Sequence, residues 1–214
     1  MENRPPNTRK FDKCCRLLWN LESFTNVAIA SIAQGTRNLA GGIQIFIGYD
    51  PREAVAYNVL CHSINARASA PVSITPVSLK QLGTLMWRDR HNLQSTDFSF
   101  SRFLTPYLCG FDGWALFMDC DMLVLDDMAE LWKLRDDKVA VQVVKHDHVP
   151  EETTKFLGNP QSKYEKKNWS SVMLFNNAKC RALTPEYVNT ATGLELHRFQ
   201  WLGDDDLIGE IPHR

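Results

Sequence analysis

No apolar run in this 214-residue chain reaches the about 18 residues a membrane-spanning helix needs, so no transmembrane segment is expected. The longest candidate, Phe24 to Ala33, is only mildly apolar and short, with Asn26 inside it and Gln34 beside it. The N-terminus is polar and carries Pro5 and Pro6, which is no signal-peptide pattern. A basic excess is also missing: the net charge is −1, which leaves no electrostatic case for a nucleic-acid partner. The six cysteines (14, 15, 61, 109, 120 and 180) have no metal-type C-x-x-C spacing. Cys61 and Cys109 stand in apolar surroundings and read as buried free thiols. Such thiols suit a reducing compartment, and a cytoplasmic location is the expectation. Internal repeats and low-complexity tracts are absent. A hydrophobic content of 44% with 23% charged residues is that of an ordinary globular domain.

The first 41 residues differ from the rest. Met1 to Lys13 is polar and expected to be disordered, and Cys14 to Leu21 is a candidate short helix with Leu17, Leu18 and Leu21 on one face. Gly41-Gly42 breaks the chain ahead of the first strand signal, so 1–41 reads as a partly disordered extension and 42–214 as a single domain. Ile43 to Gly48 is apolar enough for a buried strand. A helix from Arg52 to Ala68 follows, with Pro51 at its start and Ala54, Val55, Val59, Leu60 and Ile64 as its expected apolar stripe. A second strand spans Val72 to Val77. Strand, helix and strand in so short a span make a βαβ unit, hence a parallel sheet and an α/β fold. Further expectations are a helix over Phe98 to Leu108 interrupted by Pro106, strands over 114–118, 139–144 and 172–175, and a long charged loop from His146 to Lys167. A short apolar turn, Leu207-Ile208, should follow Asp204-Asp205-Asp206.

The densest chemistry lies between Trp114 and Trp132, WALFMDCDMLVLDDMAELW. The apolar strand Trp114 to Met118 runs into Asp119-Cys120-Asp121. Residues two apart on a strand point the same way, so Asp119 and Asp121 leave the strand end together while Cys120 faces away. Two carboxylates on one side can hold a hard divalent cation that also touches a diphosphate. Strand ends of open α/β sheets are where ligands bind. A D-x-D alone is more often a solvated loop. Here the apolar strand before it and the run Met122 to Leu125 after it would bury carboxylates that lack a partner, and a cation is the simplest partner.

This segment, closed by Ala129-Glu130-Leu131-Trp132, resembles the signature of the family-8 retaining glycosyltransferases. The resemblance extends in order from about Ile43 to about Ile211. It implies a GT-A (Rossmann-like) fold, a mixed, mostly parallel sheet flanked by helices, with Asp119 and Asp121 as ligands of Mn2+ or Mg2+. The donor would be a nucleotide sugar, a UDP-hexose above all, and the acceptor a carbohydrate or glycoconjugate. Gly48-Tyr49-Asp50 matches the place where the family holds uracil and ribose; from the residues alone, an ordinary strand-to-helix turn with Asp50 as helix cap is equally good. Arg102, in Ser99 to Pro106, matches an arginine that contacts the donor, although a surface arginine on an amphipathic helix is the commoner fate. Asn168 to Asn176 resembles the family's F-N-S-G-V-M-x-F-N strand, with Trp169 in the asparagine position and Ser171 in place of glycine. Ser170 is left as the best-matched polar contact. Cys120 is also counted among the donor-binding positions.

Asp204-Asp205-Asp206-Leu207 resembles the family's D-Q-D-x-L. Asp204 would bind the sugar, and Asp205 would stand near the anomeric carbon, where a carboxylate can stabilise or attack an oxocarbenium-like centre. The ordinary reading is an acidic helix start. His146 and His148 flank Asp147 but suit a solvated loop better than a metal cluster. The family's C-terminal H-x-x-G-x-x-K-P-W motif does not occur in this sequence, so His213 takes no metal role and the domain is expected to lack the family's C-terminal part. The expectation is a metal-dependent retaining hexosyltransferase acting through Asp204 and Asp205. The alternatives are a catalytically inactive nucleotide-sugar-binding fragment and a nucleotidyltransferase. The last fits worst, because Gly48 to Arg52 is no Gly-rich phosphate loop.

Overall fold

In the computed structural model, residues 42–90, 94–145, 166 and 168–212 are described. The expected extension 1–41 with its helix at Cys14 to Leu21, most of the loop from His146 to Lys167, and His213 lie outside them. Strand β1, Ile43–Gly48, is buried almost throughout, as a central parallel strand must be. Asp50 caps a 3-10 turn, Pro51–Glu53, that leads into helix α1, Ala54–Arg67. The buried face of α1 is Leu60, Ser63 and Ile64, with Tyr57 and Cys61 packed beside them. The expected stripe was rotated: Val55 is 78% exposed and Val59 49%. Spacing alone could not choose between two overlapping i, i+4 sets, and the sheet selected the one containing Tyr57.

Strand β2, Val72–Val77, pairs in parallel with β1 and stands at the sheet edge, where Pro76 costs no interior ladder bond. Helix α2, Leu79–Leu82, follows. The helix expected over Phe98 to Leu108 is a turn, then a 3-10 helix at Ser101–Leu104, then α3, Thr105–Leu108. Pro106 stands in the first turn of α3, where its missing N–H has no partner to lose. Strand β3, Trp114–Met118, lies against the other side of β1. Helix α4, Met128–Trp132, begins at Asp127, whose side chain accepts from Ala129 N.

Strand β4 is Val141–Val143, shorter than the expected 139–144. Strand β5, Val172–Asn176, is one residue longer than expected. Helices α5, Pro185–Thr190, and α6, Gly193–His197, start at Thr184 and Thr192, and Thr192 forms a capping box with Glu195. The Leu207-Ile208 turn is instead the entrance to strand β6, Ile208–Glu210, which pairs with β4.

The strand order is β2-β1-β3-β5-β4-β6. β5 is antiparallel to both β3 and β4, while the other pairings are parallel, so among these strands only β5 runs in reverse. This is the mixed, mostly parallel sheet expected, with helices packed on it. The core gathers Phe98, Phe103, Phe117, Phe175 and Phe199 around Ile45, Ile47, Leu116 and Leu174. From β1 the chain crosses to β2 on one side and returns to β3 on the other. The carboxyl ends of β1 and β3 therefore flank the point where the strand order reverses.

Candidate active site

Asp119 and Asp121 sit at that point. Asp119 follows β3 directly, and its N–H donates to Ser171 O at 2.9 Å, so its backbone is tied to the start of β5. Its carboxylate pairs with Arg102 Nη1 at 2.8 Å. Arg102 is only 6% exposed. It also donates to Ser170 O at 2.8 Å and to Phe98 O at 3.3 Å, and its Cζ lies over the rings of Phe98 and Phe117 at 5.3 and 5.2 Å. A guanidinium so enclosed is a fixed charge whose orientation is set from several sides. Cys120, in the turn after β3, is fully buried, and its thiol donates to Glu53 Oε2 at 3.0 Å. Burial first, then the Glu53 carboxylate, pushes that thiol far above its ordinary range. Asp121 is exposed.

The run Met122 to Leu125 buries less than its composition implies. Val124 is buried and its N–H donates to Ser63 Oγ, but Leu123 is 57% exposed and Leu125 76%. The partner that accompanies Asp119 is Arg102. Asp121 is open to solvent. Among the described residues there is no group of three or more His, Cys, Asp or Glu side chains placed to hold a metal. Two carboxylates completed by phosphate and water oxygens are nevertheless a donor set that Mg2+ and Mn2+ accept, so the residues present fit such an ion.

The end of β1 is more structural than its motif suggests. Asp50 is 1% exposed, and it accepts from Arg52 N at 2.9 Å, Arg52 Nε at 3.0 Å and Asp97 N at 3.1 Å. The hydrogen-bonded Arg52 side chain holds its carboxyl well down, to about 2. Asp50 thereby joins the β1 end to the loop ahead of Arg102. Gly48 is required by packing: a Cβ there would lie 2.3 Å from the Phe98 ring. Tyr49 donates its N–H to Val77 O and meets Tyr57 edge-on.

Ser170 is buried, and its hydroxyl lies 2.8 Å from His197 Nδ1. His197 ends α6 with its ring edge-on to Phe103. No sequence signal marked it: one histidine in Leu-Glu-Leu-His-Arg matches no motif. Beyond it lies a cleft of about 260 Å³ lined by Lys166, Arg198, Phe199, Gln200, Gly203, Asp204 and Asp205. Asp204 caps the 3-10 turn Asp205–Leu207 by accepting from Asp206 N. Asp205 is ion-paired with Lys166, whose Nζ also donates to Arg198 O at 3.1 Å. Lys166 lines this cleft although no motif in the sequence marks it.

Contacts therefore run from Asp119 through Arg102 to Ser170 and His197, and Arg198 carries them to Lys166 and Asp205. Asp50 and Gly48 reach the same place through Phe98. Asp119, Arg102 and Ser170 thus share one end of the sheet, and the relay of contacts through His197 and Arg198 continues from them to the Asp204 cleft. Among the described residues no helix is long and apolar enough to cross a membrane.

No family model matches the chain. In structure it is similar to the bifunctional glycosyltransferase WbbM in its apo form, with a TM-score of 0.49 and 16% identity over 80% of this chain and 39% of that one. It is similar to the apo form of the glycosyltransferase GlyE of Streptococcus pneumoniae, with a TM-score of 0.48 and 13% identity over 80% of this chain and 45% of that one. It is also similar to the galactosyltransferase LgtC in complex with donor and acceptor sugar analogues, with a TM-score of 0.46 and 14% identity over 78% of this chain and 73% of that one. In sequence, the chain is similar to Protein CDI of Arabidopsis thaliana, with 55% identity over 174 residues that cover 79% of this chain and 66% of the relative's length.

Proposed function

We propose that this chain is a metal-dependent retaining glycosyltransferase of the GT-A type, moving a hexose from a nucleotide sugar, a UDP-hexose, to an acceptor hydroxyl. One observation carries the reading: the Asp119 carboxylate, paired with the enclosed Arg102, leaves β3 beside exposed Asp121 where the strand order reverses. Asp119 and Asp121 would hold Mn2+ or Mg2+, which when bound offsets the negative charge gathering on the departing diphosphate. Arg102 adds a fixed positive charge on the same side and needs no reorganisation to do so. Gly48, Tyr49 and Asp50 form the nucleoside end, with Asp50 acting mainly through the loop it anchors. Ser170 and Asp204 face the sugar as hydroxyl partners. Asp205 stands as a negative charge near the anomeric carbon, where an oxocarbenium-like centre develops. The acceptor attacks from the face the diphosphate leaves.

Calorimetric titration of UDP with and without Mn2+ tests the reading, on the wild type and on D121N. Mn2+-dependent binding lost in D121N, followed by UDP-hexose turnover in the wild type, is the expected result. Equal binding by both proteins, or full turnover by D121N, would sink it.

A further inference from the structure

Resting on the reading above, we propose that Lys166 is a positioning residue of the sugar-transfer site, holding the Asp205 carboxylate at the cleft wall as a fixed charge and not as a nucleophile. The Lys166 side chain is only 15% exposed, whereas that of Asp205 is 73% exposed. The lysine is thus the anchored member of the pair and the aspartate the one it restrains. Its anchor is the Arg198 carbonyl, which the same ammonium reaches at 3.1 Å. An ammonium has three donors, so it can serve carbonyl and carboxylate together and keep one for a ligand hydroxyl.

The backbone around this pair is unusual. Lys166, Asn168 and Phe199 all have left-handed conformations, with φ of 60°, 67° and 60°, and Gly203 follows at 76°. Non-glycine residues adopt that region at a cost, and such strain collects at functional sites. Lys166, Phe199 and Gly203 line the cleft itself, and Asn168 precedes buried Ser170.

The chemistry gives the pair a purpose. A carboxylate as exposed as that of Asp205 would sample several rotamers without a partner. Tied to Lys166, it stays where positive charge develops on the sugar ring. Its lone pairs are engaged by the ammonium, which lowers its power to form a covalent sugar ester. Asn at position 205 would keep the shape and lose the charge.

The test compares K166M, K166R and D205N in UDP-hexose transfer and hydrolysis, with Mn2+-dependent UDP affinity measured in parallel and thermal melts to verify folding. K166M should lower kcat about 10- to 100-fold, as removal of an orienting partner does, with UDP affinity unchanged and a smaller loss for K166R. Intact-mass measurement during turnover should find no hexosyl adduct on the wild type. Unchanged kcat in a folded, active K166M overturns the inference, and so does a hexosyl ester on Asp205. A parallel loss of UDP affinity also overturns it, by making Lys166 a direct phosphate contact. A wild type that neither binds UDP nor turns over overturns the proposed function itself, and this role with it.

Discussion

Arg102 does several jobs that a lysine could not share. Its Nη1 reaches the Asp119 carboxylate and the Ser170 carbonyl while Nε donates to Phe98 O, and its Cζ lies over two aromatic rings. R102K keeps the charge but loses the fork, and a charge-assisted hydrogen bond is worth about 1.5–3 kcal/mol. Chemical denaturation of R102K should show a loss of that order, together with weaker Mn2+-dependent UDP binding. Asp50 offers a pH-dependent counterpart. Its folded pKa of about 2 lies below the ordinary carboxylate value, so its stabilisation is present above that ordinary value and is lost as pH falls toward 2. D50N should therefore cost about 2 kcal/mol near neutrality and lose less stability between about pH 4 and pH 2 than the wild type. Urea midpoints across that range check both signs. Asp50 also shows what one residue in a sequence conceals. A strand-end aspartate reads equally as ligand or cap, and only the positions of Arg52 and the Asp97 N–H show how its oxygens are used.

Elements were legible in proportion to how continuous their apolar pattern is. β1, β2 and β3 stand where their apolar runs and flanking Gly and Pro residues placed them. Strand alternation was the ground for expecting Asp119 and Asp121 to leave together, but β3 ends at Met118 and Cys120-Asp121 form a turn, in which Cys120 is buried. β6 is three residues, Ile-Gly-Glu, too short for any period, and it exists because β4 offers it an edge. α1 was legible as a helix but not in its facing, which tertiary packing decides. The Ser170–His197 contact joins residues 27 apart that share no motif, so only the fold brings them together. Gly48 illustrates an element-scale constraint: the β1 end must admit the Phe98 ring. G48A would force that ring, and the Arg102 segment behind it, to shift, at about 1–3 kcal/mol for overpacking. Its urea midpoint should fall accordingly, and G48A/F98L should lose less than the two single changes summed.

At the scale of the whole molecule, ligand and stability are linked. If UDP and Mn2+ occupy the junction of β1, β3 and β5, they brace the centre of the sheet. At a hundredfold excess over Kd, one bound ligand adds about 2.7 kcal/mol. For a domain of this size that is roughly 5–10 °C in Tm. UDP with Mn2+ should raise the melting temperature by that much, EDTA should abolish the rise, and D119N/D121N should show none. The reversed direction of β5 has its own consequence. A strand running against its neighbours begins where they finish, so the residues ahead of β5 enter at the ligand edge, and β4 leaves the sheet at that edge too. Residues inserted between those two strands would leave the ladder spacing of β3, β4 and β5 untouched. On the proposed function, the sheet thus separates the carboxylates at the end of β3, which the donor's diphosphate needs, from a connection free to change with the acceptor.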